Sequence, residues 1–147
     1  MMKIQKEVLT DVLLAHFDDV NFDEHHKMDE EEWRQMLSNG YVAIYTARDE
    51  QNDPAAVLVL KSSSVNTGMW YFYSVAVNEQ YRKMRLGTRL FKIATESEIS
   101  IGIINSHCHV DNVASINFHQ SLGFKVVQYV PDFYGDFQDA IMWERRR

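Results

Sequence analysis

A chain of 147 residues, 46% apolar and 24% charged, is long enough to bury one core and too short for two, so one domain over residues 1–147 is expected. The formal net charge of −6 argues against a surface that neutralises many nucleic-acid phosphates, and no apolar run approaches the roughly 18 residues of a membrane span. The single cysteine, Cys108, can form no internal disulfide, and the stretch before Phe17 lacks the apolar centre of an export signal, so a cytoplasmic location is expected.

Along the chain, residues 5–17 set Leu9, Val12, Leu13 and Phe17 at helical spacing, which predicts a first amphipathic helix. A polar loop follows over Asp18 to Met28. Asp29 with Glu32 three residues on forms a capping box, and Trp33, Met36 and Leu37 supply the apolar stripe of a second helix that Gly40 ends. The stretch Asp18 to Glu32 holds eight carboxylates against one lysine, a charge balance that attracts a cationic amine or simply caps and solvates a helix.

Tyr41 to Arg48 and Ala55 to Ser62 read as strands of a hairpin, and Asn66-Thr67-Gly68 as a further turn. Met69 to Val77 reads as a long strand with Tyr71, Tyr73, Val75 and Val77 on one face. The segment Tyr81 to Arg89 then carries four cations and no acid before a helix from about Thr88 to Ser97, with Leu90, Phe91 and Ile93 inward. Ile101 to His109 is a strand, Asn112 to Leu122 a helix closed by Gly123, Phe124 to Val130 a strand, and Asp139 to Arg145 the last strand after a turn at Tyr134-Gly135-Asp136. The order predicts an α/β fold with a mixed sheet and a parallel crossover.

A turn that leads into a helix start gathers unpaired N–H groups and the positive end of the peptide dipole, a natural anion site. Arg82-Lys83-Met84-Arg85-Leu86-Gly87-Thr88 has those parts without being a Walker loop or a three-glycine dinucleotide turn. It resembles the pyrophosphate loop of the GNAT superfamily of N-acetyltransferases, Gln/Arg-x-x-Gly-x-Gly/Ala, with Arg82 in the first position, Arg85 where the first glycine stands, and Gly87 last. Asn112 to Phe124 is similar to the family's Asn-x-x-Ala-x-x-x-Tyr-x-x-x-Gly-Phe segment. There Ser115 takes the alanine place and His119 the tyrosine place. Phe133-Tyr134-Gly135-Asp136-Phe137-Gln138-Asp139-Ala140 resembles the Tyr-Tyr-x-Asp-Gly-Glu-Asp-Ala segment of RimI-like N-terminal acetyltransferases. Tyr134 matches the second tyrosine and Asp139-Ala140 the start of the last strand, while Phe133 replaces the first tyrosine.

The resemblance implies a mostly antiparallel sheet splayed between two parallel strands, with acetyl-CoA as cosubstrate and an amine acceptor, either a protein N-terminus or a small amine. Transfer would be direct, in a ternary complex. The main chain of Val75, Ala76 and Val77, the loop Arg82, Lys83, Met84, Arg85, Leu86, Gly87 and Thr88, and Asn112 and Ser115 would hold the coenzyme. Tyr134 and His119 are the candidate proton donors to the leaving thiolate, and Glu79 is a candidate for the amine's proton. A non-catalytic acyl-CoA-binding module of the same fold is the alternative. No metal site is expected, because neither the His16, Asp18, His25, His26 group nor His107-Cys108-His109 has ligand spacing. Nucleic acid and membrane are not expected partners, and a homodimer is left open.

Overall fold

A computed structural model describes residues 2–7, 30–63, 68–98 and 100–147. Seven strands among them form one sheet: β1 (Lys3–Glu7), β2 (Val42–Arg48), β3 (Pro54–Ser62), β4 (Met69–Val77), β5 (Ile103–His109), β6 (Lys125–Val130) and β7 (Ala140–Arg146). Their spatial order is β1-β2-β3-β4-β5-β7-β6. Three described helices flank it: α1 (Glu30–Ser38), α2 (Leu86–Ser97) and α3 (Val113–Ser121). All neighbouring strands are antiparallel except β4 and β5, which α2 connects as a parallel crossover.

Apolar runs in β2 and β3 explain why the sheet is covered on both faces. Every residue of β2 is buried, as suits a strand between two layers. On one face Tyr45, Leu58 and Leu60 pack with Leu86, Leu90 and Phe91 of α2. On the other, Trp33 of α1 lies on Ile44, Val57 and Val59. The inward stripe of α2 is Leu86, Leu90, Phe91 and Ala94. Ile93, expected inside, is exposed, because its place on the helix circle falls beside that stripe.

Two expectations need correction. Residues 5–7 were expected to open a helix, but they belong to β1, which pairs with β2 from Lys3↔Arg48 to Glu7↔Ile44. The exposed edge of β2 supplies hydrogen-bond partners that a local helical pattern does not. Glu7 seals the pairing, accepting from Thr46 and, at 2.6 Å, from Arg48 Nε. The rest of the expected first helix, the loop after it, Asp29 and Asn66-Thr67 lie outside the described residues.

The second correction concerns β4. Its register against β3 slips between Val59↔Ser74 and Leu60↔Phe72, so Tyr73 is the extra residue of a β-bulge. A bulge breaks the alternation of side chains. Tyr73 therefore packs with Trp33 on the α1 face, while Val75 and Val77 pack on the α2 face. The single face expected for Tyr71, Tyr73, Val75 and Val77 is divided.

Candidate active site

β4 and β5 are paired over only three positions, Met69↔Ile103, Trp70↔Ile104 and Tyr71↔Asn105. Both strands run on past these, β4 to Val77 and β5 to His109, and beyond Tyr71 and Asn105 they have no ladder between them. The bulge at Tyr73 bends β4 where the separation begins. The result is a cleft of about 760 Å³ with walls from Phe72, Tyr73 and Ser74 on one side and Ser106, His107 and Cys108 on the other. An open edge of this kind leaves main-chain N–H and C=O groups to be satisfied by a ligand or by water.

At the carboxy end of β4, Glu79–Tyr81 makes one 3-10 turn before the cationic loop. Tyr81 Oη donates to Asp49 Oδ2 at 2.9 Å, which ties the loop's base to the β2–β3 turn. The Arg82 amide bonds to the Glu79 carbonyl at 3.2 Å, and its guanidinium Nε reaches back to the Val77 carbonyl at 3.4 Å. The amides of Lys83 through Thr88 find no backbone acceptor among the described residues. Lys83 (φ 72°) and Arg85 (φ 56°) adopt the left-handed conformation, and Arg85 is the N-cap of α2. The left-handed Arg85 followed by the helical Leu86 turns successive N–H groups to the same side, the geometry of an anion nest. The residue that replaces the family's first glycine thus keeps the glycine conformation, at a cost of about 1 kcal/mol.

Gly87 is needed for a different reason than contact with a ligand. A Cβ there would lie 3.2 Å from Phe118 Cζ and 3.4 Å from Val75 Cγ2, so its bare face is turned inward, toward α3 and β4. Leu86 is a core residue and contributes only its amide to the loop. Val75–Val77 and Arg82–Thr88 stand beyond the cleft's lining, whereas Asn112 and Ser115 belong to it. Asn112 Oδ1 caps α3 by accepting from the Ser115 amide at 3.0 Å.

The two candidate proton donors part company. His119 is 4% exposed and stacks on Trp143 with ring centroids 5.0 Å apart. Its Nδ1 is 2.7 Å from the Ser115 carbonyl, which can only accept, so Nδ1 carries the hydrogen. Nε2, 2.7 Å from Ser106 Oγ, then accepts from that hydroxyl. Burial pushes the ring's pKa below its ordinary value, against the opposing effect of the Ser115 carbonyl. His119 is a neutral imidazole that braces α3 on β5, and it is absent from the cleft lining.

Tyr134 does line the cleft. Its Oη is 2.7 Å from His107 Nδ1, and its ring stacks on His109 at 5.5 Å. Phe133 packs against His107 at 5.0 Å. The loop that holds Tyr134 is tied internally, with the Asp132 amide on Asp139 Oδ1 at 2.9 Å and the Phe137 amide on Asp132 Oδ1 at 2.7 Å. His107, weighed in the sequence only as part of a metal group and set aside there, is a functional candidate for proton transfer instead. The signal was there in part: in a strand, His107 and His109 face one way and Cys108 the other. Cys108 is buried on the opposite side, where Trp143 Nε1 donates to its sulfur at 3.2 Å. Glu79 is exposed and outside the cleft lining. No group of three metal-ligating side chains occurs among the described residues, and none of the described helices is long and apolar enough to cross a membrane.

Comparison with known proteins gives this geometry a context. The model of the acetyltransferase (GNAT) family matches residues 8–124. A curated N-alpha-acetyltransferase of Sulfurisphaera tokodaii is 33% identical over 72 residues, which are 47% of this chain and 43% of that protein. The match therefore spans less than half the length of the relative. A crystal structure from Desulfovibrio desulfuricans, assigned as a GNAT-family acetyltransferase, superposes with a TM-score of 0.80 over 99% of both chains at 16% identity. One from Bacillus anthracis, assigned as a streptothricin acetyltransferase and in complex with acetyl coenzyme A, gives 0.64 over 73% of this chain and 63% of its own at 24% identity.

Proposed function

The chain belongs to the GNAT family of acetyltransferases, and from that premise we propose that it is an N-acetyltransferase that moves the acetyl group of acetyl-CoA directly to a primary amine, acting as a single domain in the cytoplasm. The observation that carries the reading is the parting of β4 from β5 beside the hydrogen-bonded pair His107 and Tyr134. Acetyl-CoA supplies the acetyl group as a thioester, already activated toward an amine. The residues present fit it. The Lys83 to Thr88 amides, gathered at the start of α2, suit a diphosphate, with Arg82, Lys83 and Arg85 supplying positive charge. Asn112, Ser115 and the open edge formed by Val75, Ala76 and Val77 suit the amide-bearing arm.

Acetyl transfer forms a C–N bond, breaks the C–S bond, removes a proton from the amine and gives one to the thiolate. Tyr134 is assigned to protonate the sulfur and His107 to accept the proton the amine loses. The hydrogen bond between them allows one proton to restore the other group. Positioning in the cleft contributes much of the remaining rate. The relative named an N-alpha-acetyltransferase supports a protein N-terminus as acceptor over a small amine.

The test is a thiol-release assay against peptides and small amines, run beside a thermal shift with CoA. Millimolar ligand on a low-micromolar site stabilises by about 4 kcal/mol, so a shift with turnover on at least one class of amine is expected. A shift without turnover on any amine would leave an acyl-CoA-binding module, and no shift would remove the coenzyme site altogether.

A further inference from the structure

Lys61 stands near the end of β3, opposite Tyr71 on β4, and lines the cleft. It is half-buried, and its ammonium lies 5.9 Å from the centroid of the Tyr73 ring that the bulge turns to this face. It makes no ion pair among the described residues. No carboxylate is found among the described residues that line the cleft, and Lys61 is the only lysine or arginine there. Among the described residues the Lys61 ammonium has the face of the Tyr73 ring as its charged group's contact and no carboxylate, which leaves it able to take an anionic partner. A carboxylate brought by the ligand would supply the partner that the described lining lacks.

We propose that Lys61 reads a carboxylate on the acceptor, and that the acceptor is a polypeptide with an acidic residue close behind its free amino terminus. The inference rests on the acetyl-transfer reading above and specifies its substrate. The span sets the class. Lys61 is on β3 and His107 on β5, with β4 between them, which places their backbones at least two strand spacings apart, about 10 Å. The amine and carboxylate of a free amino acid sit on one carbon and suit that gap less well than an amine and a carboxylate set one or two residues apart. An extended peptide advances about 3.3 Å per residue, so a side-chain carboxylate on the second or third residue reaches Lys61 while the amine stays at His107 and Tyr134.

The experiment measures initial rates on three peptides that differ only at the second residue, Glu, Gln or Lys, at low and high salt. The Glu peptide should exceed the Lys peptide by about tenfold in kcat/KM, mostly through KM, with the gap narrowing as salt screens the contact. Lys61→Met should level the three, and Lys61→Glu should reverse their order. Equal rates on all three with the unaltered protein, or a preference that survives Lys61→Glu, would overturn the proposal. Absence of turnover on every peptide would instead count against acetyl transfer. In that case calorimetric titration of the same peptides onto the coenzyme-loaded protein would still rank them, and an unchanged ranking in Lys61→Glu would overturn the role given to Lys61.

Discussion

The cationic loop and the cleft beside it are built on different plans. The proposed diphosphate site, just beyond the cleft, relies on main chain from one contiguous segment, the amides of Lys83 to Thr88. The proposed acceptor site in the cleft relies on side chains from three separate elements: Lys61 on β3, His107 on β5 and Tyr134 in the β6–β7 loop. A main-chain site tolerates exchange of side chains as long as the backbone keeps its course, and Arg85 in a glycine's conformation is an instance. A side-chain site depends on register and loop geometry and cannot tolerate exchange at the reacting groups.

The largest effect that would sharpen this contrast is loss of turnover without loss of coenzyme. Tyr134→Phe or His107→Ala should each lower kcat by about a hundredfold or more, while CoA affinity by calorimetry stays unchanged. Equal loss of both would show that the two sites are not separable. The complementary substitution is His119→Ala, at the position where the family has its tyrosine. It should cost about 2–4 kcal/mol of stability in chemical denaturation, because it leaves a cavity against Trp143 and strands the Ser106 hydroxyl. The sign of its pH dependence follows from the depressed folded pKa. The unfolded chain binds the proton first, so this contribution is complete above the unfolded value and declines as pH falls toward the folded value. His119→Asn should flatten that acid slope. A slope unaltered by the change would mean that His119 is not held neutral.

Gly87→Ala tests the diphosphate site more gently. The added methyl meets Phe118 and Val75 at 3.2 and 3.4 Å, and overpacking of this kind costs about 1–3 kcal/mol. The expected result is a lower melting temperature with CoA affinity reduced only as far as α2 shifts. A large drop in affinity at unchanged stability would place the glycine's bare face toward the ligand instead of the core.

The same division decides what could be read in advance. Strand boundaries, the parallel crossover and the cationic loop follow from short runs of sequence, because each is a local pattern or a contiguous motif. β1 was not legible, since what makes residues 3–7 a strand is the edge of β2, about 40 positions later in the register. The bulge at Tyr73 was hidden too: alternation continues in the letters Tyr-Phe-Tyr-Ser-Val while the backbone slips by one residue. His107 was considered only as a metal ligand because its partner Tyr134 is 27 residues away, and His119 drew attention because a motif placed it there. Pairing across distance distinguishes these two histidines, and no spacing along the chain contains it.

The smallest effect concerns Phe137, in the same loop as Tyr134. It has φ 62° and is 95% exposed, so its ring gains little from packing while its backbone bears left-handed strain. Phe137→Gly keeps the amide bond to Asp132 Oδ1 and relieves about 1–2 kcal/mol of that strain, but it also frees the unfolded chain by about 0.5–1 kcal/mol. The net should be a gain of about 0.5 kcal/mol, read as a slightly higher denaturation midpoint. Phe137→Ala relieves almost none of the strain and should leave the midpoint nearly unchanged, so the difference between the two variants isolates the backbone contribution. If Phe137→Gly were destabilising, the ring would have to be packing on some other part of the protein. The acceptor site would then draw on a fourth element, and the contrast with the one-segment diphosphate site would be wider still.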